Sequence, residues 1–383
     1  VSAAGATEPQ ARARRRPAGW AARVALAVFA ALATPAAFAA PALLPDVTAA
    51  GAAADPAHAE PAFVTARALP AAAVAAPVVP TAGGGSGGTG GTGGTAPSTC
   101  PPMVDPRDWG RAVDRGMLWK LTRGGRVSYL FGTVHVGRPA WRLFGPRTAA
   151  ALASSDTVAL ELDPTDPAIA AALSLGPMGP PLPEPLAQRL ARATERACLP
   201  AAALASLHPV LQAITLTVLD ARWLGMDPAW SLEMLLAQRA KAARRQVVSL
   251  ENVELQRAAL VPDNPADAQA VVEQNLKQLE DQSSRRVVER LVAVWERGDL
   301  ETLGRYEAWC ECAASEEERA FMRRLNDDRN PHLADRIAAL HAQGRRVFAA
   351  VGALHMTGEQ ALPRLLAERG FRVERVAFAT APR

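Results

Sequence analysis

"SYLFGTVHVG", residues 128–137, runs a buried-strand pattern into a polar ending. Tyr129, Leu130, Phe131 and Val134 suit a strand, yet the run closes on Gly132-Thr133-Val134-His135. "VFAAVGALHMTG", residues 347–358, does the same: an apolar run leads into Gly352-Ala353-Leu354-His355. The chain has six histidines, and two hold the same place in the same local pattern. In each GxxH the glycine permits unusual backbone angles or close approach. The histidine brings the commonest metal-ligating and acid–base side chain to the strand exit. One such motif arises readily by chance, but two in matching contexts point to a shared site. The bland alternative is structural: each imidazole bonded to a neighbouring backbone carbonyl.

The surrounding pattern gives the fold class. "MLWKLTRGGRVSYLFGTVH" reads as two strands about Arg123-Gly124-Gly125, a hairpin. A helix is expected near 146–154, a strand at 157–163 and another at 246–251, with a loop at 176–185. Apolar residues at helical spacing fill 185–245, and a long helical region is expected from about Ala266 to Arg297. Ser315-x-x-Glu318 forms a capping box. Asn330-Pro331 reads as N-cap and first helical position, and Gly344 as that helix's stop. Strands alternating with helices predict an α/β fold. Its sheet is expected to be built from two GxxH strand–turn–helix–strand halves, with a largely helical insertion between them. Both turns then lie at strand carboxyl ends, where ligands gather in such sheets.

Two acids join this pattern. Glu161 stands among apolar neighbours in "VALELD", where burying a carboxyl is costly unless it is partnered. Glu251 closes "QVVSLE" in an equivalent position. Two histidines and two carboxylates suit a divalent transition metal or its bound water. Arg329 can pair with a buried carboxylate, hold an oxyanion, or lie on the surface, whereas Asn330 is accounted for as a cap. His208, His332 and His341 sit in helical contexts without acidic partners, and His58 lies in a tether.

The N-terminal part reads differently. Arg12, Arg14, Arg15 and Arg16 precede an apolar stretch at 24–33, and Ala37-Phe38-Ala39 offers a small-x-small cleavage site. Residues 1–39 are therefore expected to be a signal peptide, with periplasmic or secreted localisation. The alternative is an uncleaved membrane anchor, since 24–44 carries no charge. These 39 residues hold five arginines and one acid, and the whole chain is +4, so the remainder is neutral. That balance removes the electrostatic case for a nucleic-acid partner. Residues 40–102 are rich in Ala and Pro and then run "GGGSGGTGGTGGT" at 83–95, which predicts a flexible tether. The folded domain is expected at 103–383. Export makes disulfides permissible for Cys100, Cys198, Cys310 and Cys312, with three full pairings open.

Several stretches carry a resemblance. "LWKLTRGGRVSYLFGTVHVG", "VALELD", "GMDPAWSLEMLLAQRAKAARRQVVSLENVELQ", "RLNDDRN" and "VFAAVGALHMTGEQALPRLLAERGFRVERV" together resemble the TraB/GumN family. That family is related to the Tiki metalloproteases and PrgY. The resemblance spans about Leu118 to Val376, and the tail from GALH to Glu368-Arg369-Gly370-Phe371 is its most characteristic piece. It implies an α/β fold with two GxxH halves about a metal-dependent hydrolytic site. The matching positions are His135, His355 and Glu161, then Glu251, Arg329 and Asn330. Family members commonly have Gly-Lys where Ala243-Arg244-Arg245 stands, and Thr where Asn252 stands; neither departure touches a proposed ligand.

The reading is an exported metal-dependent hydrolase, foremost a peptidase acting by metal-activated water. His135, His355 and Glu161 would be ligands of a divalent transition metal. Glu161, Glu251 and Arg329 would be the catalytic set, with Glu161 a ligand or general base and Arg329 stabilising negative charge. The partner would be a peptide or small-molecule substrate, and the membrane only if the N-terminal segment stays uncleaved. The rival is a non-catalytic protein that binds such a ligand in the same cleft.

Overall fold

Two glycines begin the sheet. Gly124 and Gly125 take φ of 56° and 74°, the left-handed angles that a two-residue hairpin turn requires. They join β1 (Met117–Arg123) to β2 (Arg126–Thr133), which pair antiparallel from Met117↔Gly132 to Arg123↔Arg126. The computed structural model describes residues 100–175, 179–310, 312–313 and 315–378. The signal peptide expected at 1–39 and most of the tether expected at 40–102 lie outside them.

β3 (Thr157–Leu160), β4 (Gln246–Ser249), β5 (Val347–Gly352) and β6 (Arg372–Arg375) complete a six-stranded sheet in the order β4-β3-β5-β2-β1-β6. β4, β3, β5 and β2 pair in parallel, and β1 is antiparallel to both β2 and β6. Only β1 therefore runs against the others, and the sheet is mixed. β3 and β5 are buried throughout, the continuous apolar run of central parallel strands. β6, Arg-Val-Glu-Arg, carries edge charges that discourage further pairing. The α/β class is as expected. The two GxxH strands, however, are immediate neighbours, parallel from Tyr129↔Phe348 to Thr133↔Gly352. β5 sits between β2 and β3, so the strands that carry and follow the two GxxH turns interleave in one sheet.

The helices of the described residues are α1 (Pro146–Ala153), α2 (Pro167–Leu175), α3 (Glu184–Arg196), α4 (Pro209–Leu219), α5 (Leu232–Ala242), α6 (Val253–Leu260) and α7 (Pro265–Glu280). They continue with α8 (Ser283–Glu296), α9 (Leu300–Gly304), α10 (Tyr306–Trp309), α11 (Glu316–Leu325), α12 (Asn330–Ala342) and α13 (Leu362–Glu368). The insertion expected at 185–245 corresponds to α3, α4 and α5, and helices α6 to α12 add more between β4 and β5. α4 is buried on nearly every side, as its apolar sequence requires. The single helix expected over 266–297 is two. Gln282 takes φ of 59°, and Asp281 Oδ1 accepts from the Ser283 amide, so the chain turns between α7 and α8.

Helix ends follow the sequence in part. Ser315 and Glu318 form the expected capping box, and Gly344 takes φ of 94° beyond α12. The cap of α12 departs from expectation: Arg329 holds the N-cap place, and the Asn330 side chain is used elsewhere. Arg244, within the stretch Ala243-Arg244-Arg245, takes φ of 53°, a conformation glycine adopts more cheaply. All four cysteines are paired, as Cys100–Cys198 and Cys310–Cys312. Trp295 of α8 stacks on Trp141 at 5.0 Å and donates its indole N–H to Gly132 O at 2.8 Å, fixing the backbone at the first GxxH glycine.

Candidate functional site at the strand exits

Four adjacent strands end on the same edge, and each delivers part of one buried cluster. β2 leads to His135, β3 to Glu161, β4 to Glu251 and β5 to His355. The start of α12 adds Arg329 and Asn330, the first turn of α5 adds Glu233, and α6 adds Gln256. All of the site residues named from the sequence are buried in this one place.

Glu161 is at the centre. Its Oε1 accepts the Gly352 amide at 2.8 Å and lies 3.7 Å from His355 Nε2. Its Oε2 receives Arg329 Nη2 at 2.5 Å. Arg329 also grips Glu251, through Nε at 2.9 Å and Nη2 at 2.5 Å, and its Nη1 donates to Leu325 O. Gln256 Nε2 donates to Glu251 Oε2 at 3.2 Å. The guanidinium is thus clamped by two carboxylates, the geometry that arginine's planar fork favours. Burial alone would raise the Glu161 carboxyl, but Arg329 and then the two imidazoles hold it well below the usual carboxylate range. Burial would likewise lower the Arg329 guanidinium, and the two glutamates outweigh it.

The imidazoles converge on the same carboxylate from two sides. A Cβ placed on Gly352 would stand 3.3 Å from Glu161 Oε1, 3.4 Å from His135 Nε2 and 3.5 Å from His355 Cδ2. The glycine of the second GxxH therefore leaves the space about which the three groups gather. On the far side of each ring, Nδ1 faces an oxygen. His355 Nδ1 lies 2.6 Å from Asn330 Oδ1, and Asn330 Nδ2 donates to Gln360 O at 2.8 Å. That second bond fixes the amide's orientation, so its oxygen faces the imidazole and His355 carries its proton on Nδ1. His135 Nδ1 lies 3.0 Å from Glu233 Oε1, which also accepts the Thr133 hydroxyl. Burial pushes His355 down to about 3, with Glu161 opposing and Arg329 and His135 adding to the fall. Burial acts the same way on His135, but the charge and hydrogen bonding of Glu233 reverse it, and His135 is raised.

A narrow apolar cleft adjoins both turns, lined by Val134, Val136, Val218, Val288, Leu291 and Leu354 together with His135. The remaining histidines serve the fold. His208 caps α4, His332 Nε2 faces Leu250 O, and His341 bridges Ser128 Oγ and Arg123 O. His58 lies outside the described residues.

Among the described residues no three His, Cys, Asp or Glu side chains stand at ligand spacing as they are. His135, His355 and Glu161 are the donors that face one another across the space beside Gly352. The 3.7 Å between Glu161 Oε1 and His355 Nε2 is a few tenths more than the roughly 3.4 Å kept by two donors on a tetrahedral ion with bonds of about 2.1 Å. The hydrogen bond at His355 Nδ1, and the carboxylate 3.0 Å from His135 Nδ1, also match the outer-shell pattern of metal-ligating histidines. Glu161 Oε1 and His355 Nε2 are thus within a small contraction of the spacing of two ligands on one divalent ion, with His135 Nε2 facing the same space.

Sequence reasoning missed Glu233, Gln256 and Thr133. A signal for Glu233 was present: it falls in register with Leu236, Ala237 and Ala240, all buried on one helix face, so a carboxyl interrupts an apolar stripe. No comparable pattern marked Gln256 or Thr133.

A model of the TraB/PrgY/gumN family matches residues 117–375, a span that contains every residue of the cluster. No curated protein and no solved structure matches the chain.

Proposed function

The chain belongs to the TraB/PrgY/gumN family, and on that premise we propose that it is an exported metal-dependent hydrolase, a peptidase in the first instance. The observation that carries the reading is the convergence at Gly352: two imidazole groups and one carboxylate oxygen around a space kept by a missing Cβ. His135 and His355, through Nε2, and Glu161, through Oε1, would hold a divalent transition metal. Such an ion, when bound, polarises a carbonyl and makes water a nucleophile near neutral pH.

The chain's own residues prepare that chemistry. Asn330 keeps the His355 proton on Nδ1, and burial keeps the ring neutral, so its Nε2 lone pair stays free. Arg329 keeps Glu161 ionised; a carboxylate held so low is a poor proton acceptor, which favours the ligand role over that of general base. Nε, Nη1 and Nη2 of Arg329 are each engaged, so it would act on developing negative charge through its field rather than by a new hydrogen bond. Glu251, braced by Gln256, completes the clamp. The aliphatic cleft beside His135 suits a substrate with a small apolar side chain near the scissile bond. Two disulfides accord with an oxidising compartment, in line with the periplasmic or secreted location proposed from the N-terminal segment. No helix of the described residues is long and apolar enough to cross a membrane.

The test is metal binding and turnover together. Purified protein titrated with Zn2+, Mn2+ and Co2+ should bind one of them at sub-millimolar concentration. His135→Ala and His355→Ala should each abolish that binding and the hydrolysis of a peptide library while leaving the circular dichroism unchanged. A wild type that binds none of the three overturns the reading. Folded variants that lose only ligand affinity would favour the non-catalytic binder instead.

A further inference from the structure

α5 opens with Ser231, whose hydroxyl accepts the Met234 amide. Glu233 follows in the first turn and is 0% exposed. A carboxyl buried among Leu236, Ala237 and Ala240 costs several kcal/mol unless something partners it. The helix start helps, because its unpaired amides favour negative charge. Two residues supply the remainder, and both come from the first GxxH turn. The Thr133 hydroxyl donates to Oε1, and His135 Nδ1 stands 3.0 Å from the same oxygen. Oε2 is buried with no hydrogen-bond partner. The Nδ1–Oε1 contact is short but oblique to the ring.

We propose that Glu233 is a positioning residue: it keeps the His135 proton on Nδ1 and so turns a bare Nε2 toward Glu161 and His355. A carboxylate only accepts, so the ring nitrogen facing it carries the hydrogen. Asn330 does the same for His355 through an amide oxygen. The two turns thus reach one tautomer through two different chemistries. Without Glu233 the neutral imidazole reverts to its intrinsic preference for a proton on Nε2, which closes the nitrogen that faces the cluster. Thr133 supports this by tying Oε1 in place. The catalytic meaning of the inference rests on the hydrolase reading, but the tautomer does not.

The experiment is a long-range 1H–15N correlation on 15N-labelled protein, with the His135 signals identified by their loss in His135→Gln. At a pH above the His135 titration, wild type should show His135 protonated on Nδ1 and bare at Nε2. Glu233→Leu, close in size and apolar, should move the proton to Nε2 and leave the His355 signals in place. Its affinity for Zn2+ should fall about 10- to 100-fold, the usual loss when an outer-shell partner is removed. A wild-type His135 protonated on Nε2 overturns the proposal whether or not any variant folds. So does an unchanged tautomer in folded Glu233→Leu, even if zinc affinity drops. If the tautomer shifts as described and wild type binds no metal, the positioning role stands and the metal-dependent reading falls.

Discussion

The two GxxH turns look alike in sequence and differ in what stands behind them. His135 backs onto a carboxylate, Glu233, and is raised; His355 backs onto a neutral amide, Asn330, and is pushed down to about 3. Their backbones differ too. Gly132 O is pinned by the Trp295 indole, whereas the Gly352 amide is spent on Glu161. A repeated motif therefore sets position, and the residues packed behind it set electrostatics. One turn holds an imidazole raised by the carboxylate behind it and the other an imidazole lowered by burial, both beside Glu161 in one buried site.

The sharpest way to break this pairing is to remove what both turns lean on. Arg329→Met leaves Glu161 and Glu251 buried without their cation, and should cost about 3–5 kcal/mol in urea unfolding. A loss below 1 kcal/mol would mean the clamp is not the keystone of the cluster.

An effect of comparable size, spread over several pH units, separates the two histidines. His355 stays neutral in the native protein down to about 3, whereas an unfolded histidine takes up its proton near 6.5. Between those values the unfolded state binds the extra proton, so stability falls as pH falls, by about 1.4 kcal/mol per pH unit for one group. Glu161 acts in the same direction at lower pH: its contribution is present above the unfolded carboxyl value and is lost as pH drops through its depressed one. His135, being raised, has the opposite sign; its contribution is complete below the unfolded value and disappears as pH rises through the folded one. Denaturation across pH 3 to 7 should show a flatter slope in His355→Gln than in wild type.

The smallest expected effects distinguish the glycines. A Cβ on Gly132 meets Ala353 Cα at 3.3 Å, and that is backbone. One on Gly352 meets the ends of Glu161 and His135 at 3.3 and 3.4 Å, side-chain tips that need give way by only a few tenths of an ångström. Gly132→Ala should therefore lower stability by about 1 kcal/mol, while Gly352→Ala should keep its melting temperature within a degree or two and lose metal affinity. Equal thermal shifts in both variants would erase the distinction.

Much of this arrangement was legible in the chain. Alternating apolar strands and helices announced the α/β class, and the placement of His135, Glu161, Glu251 and His355 at the ends of apolar runs marked the edge on which they meet. What sequence could not show was contact at long range. Arg329 read equally well as a surface residue because its partners Glu161 and Glu251 lie 168 and 78 positions away. Asn330 followed by Pro331 carries every local mark of a helix cap, yet its amide is drawn to His355 and Gln360, 25 and 30 residues further on. The break at Gln282 was hidden for a different reason: apolar spacing continues on both sides of it, and one left-handed residue leaves little trace in periodicity. Glu233 was overlooked because an acid in a first helical turn is ordinary, and its burial had to be read from Leu236, Ala237 and Ala240.

The Cys100–Cys198 bridge has a mechanical consequence. It welds the start of the described residues to a point just beyond α3, 98 positions along. A load applied ahead of Cys100 would be divided between the backbone leading to β1 and a covalent branch into the helical region, so the hairpin that presents His135 would not be the only strap carrying it.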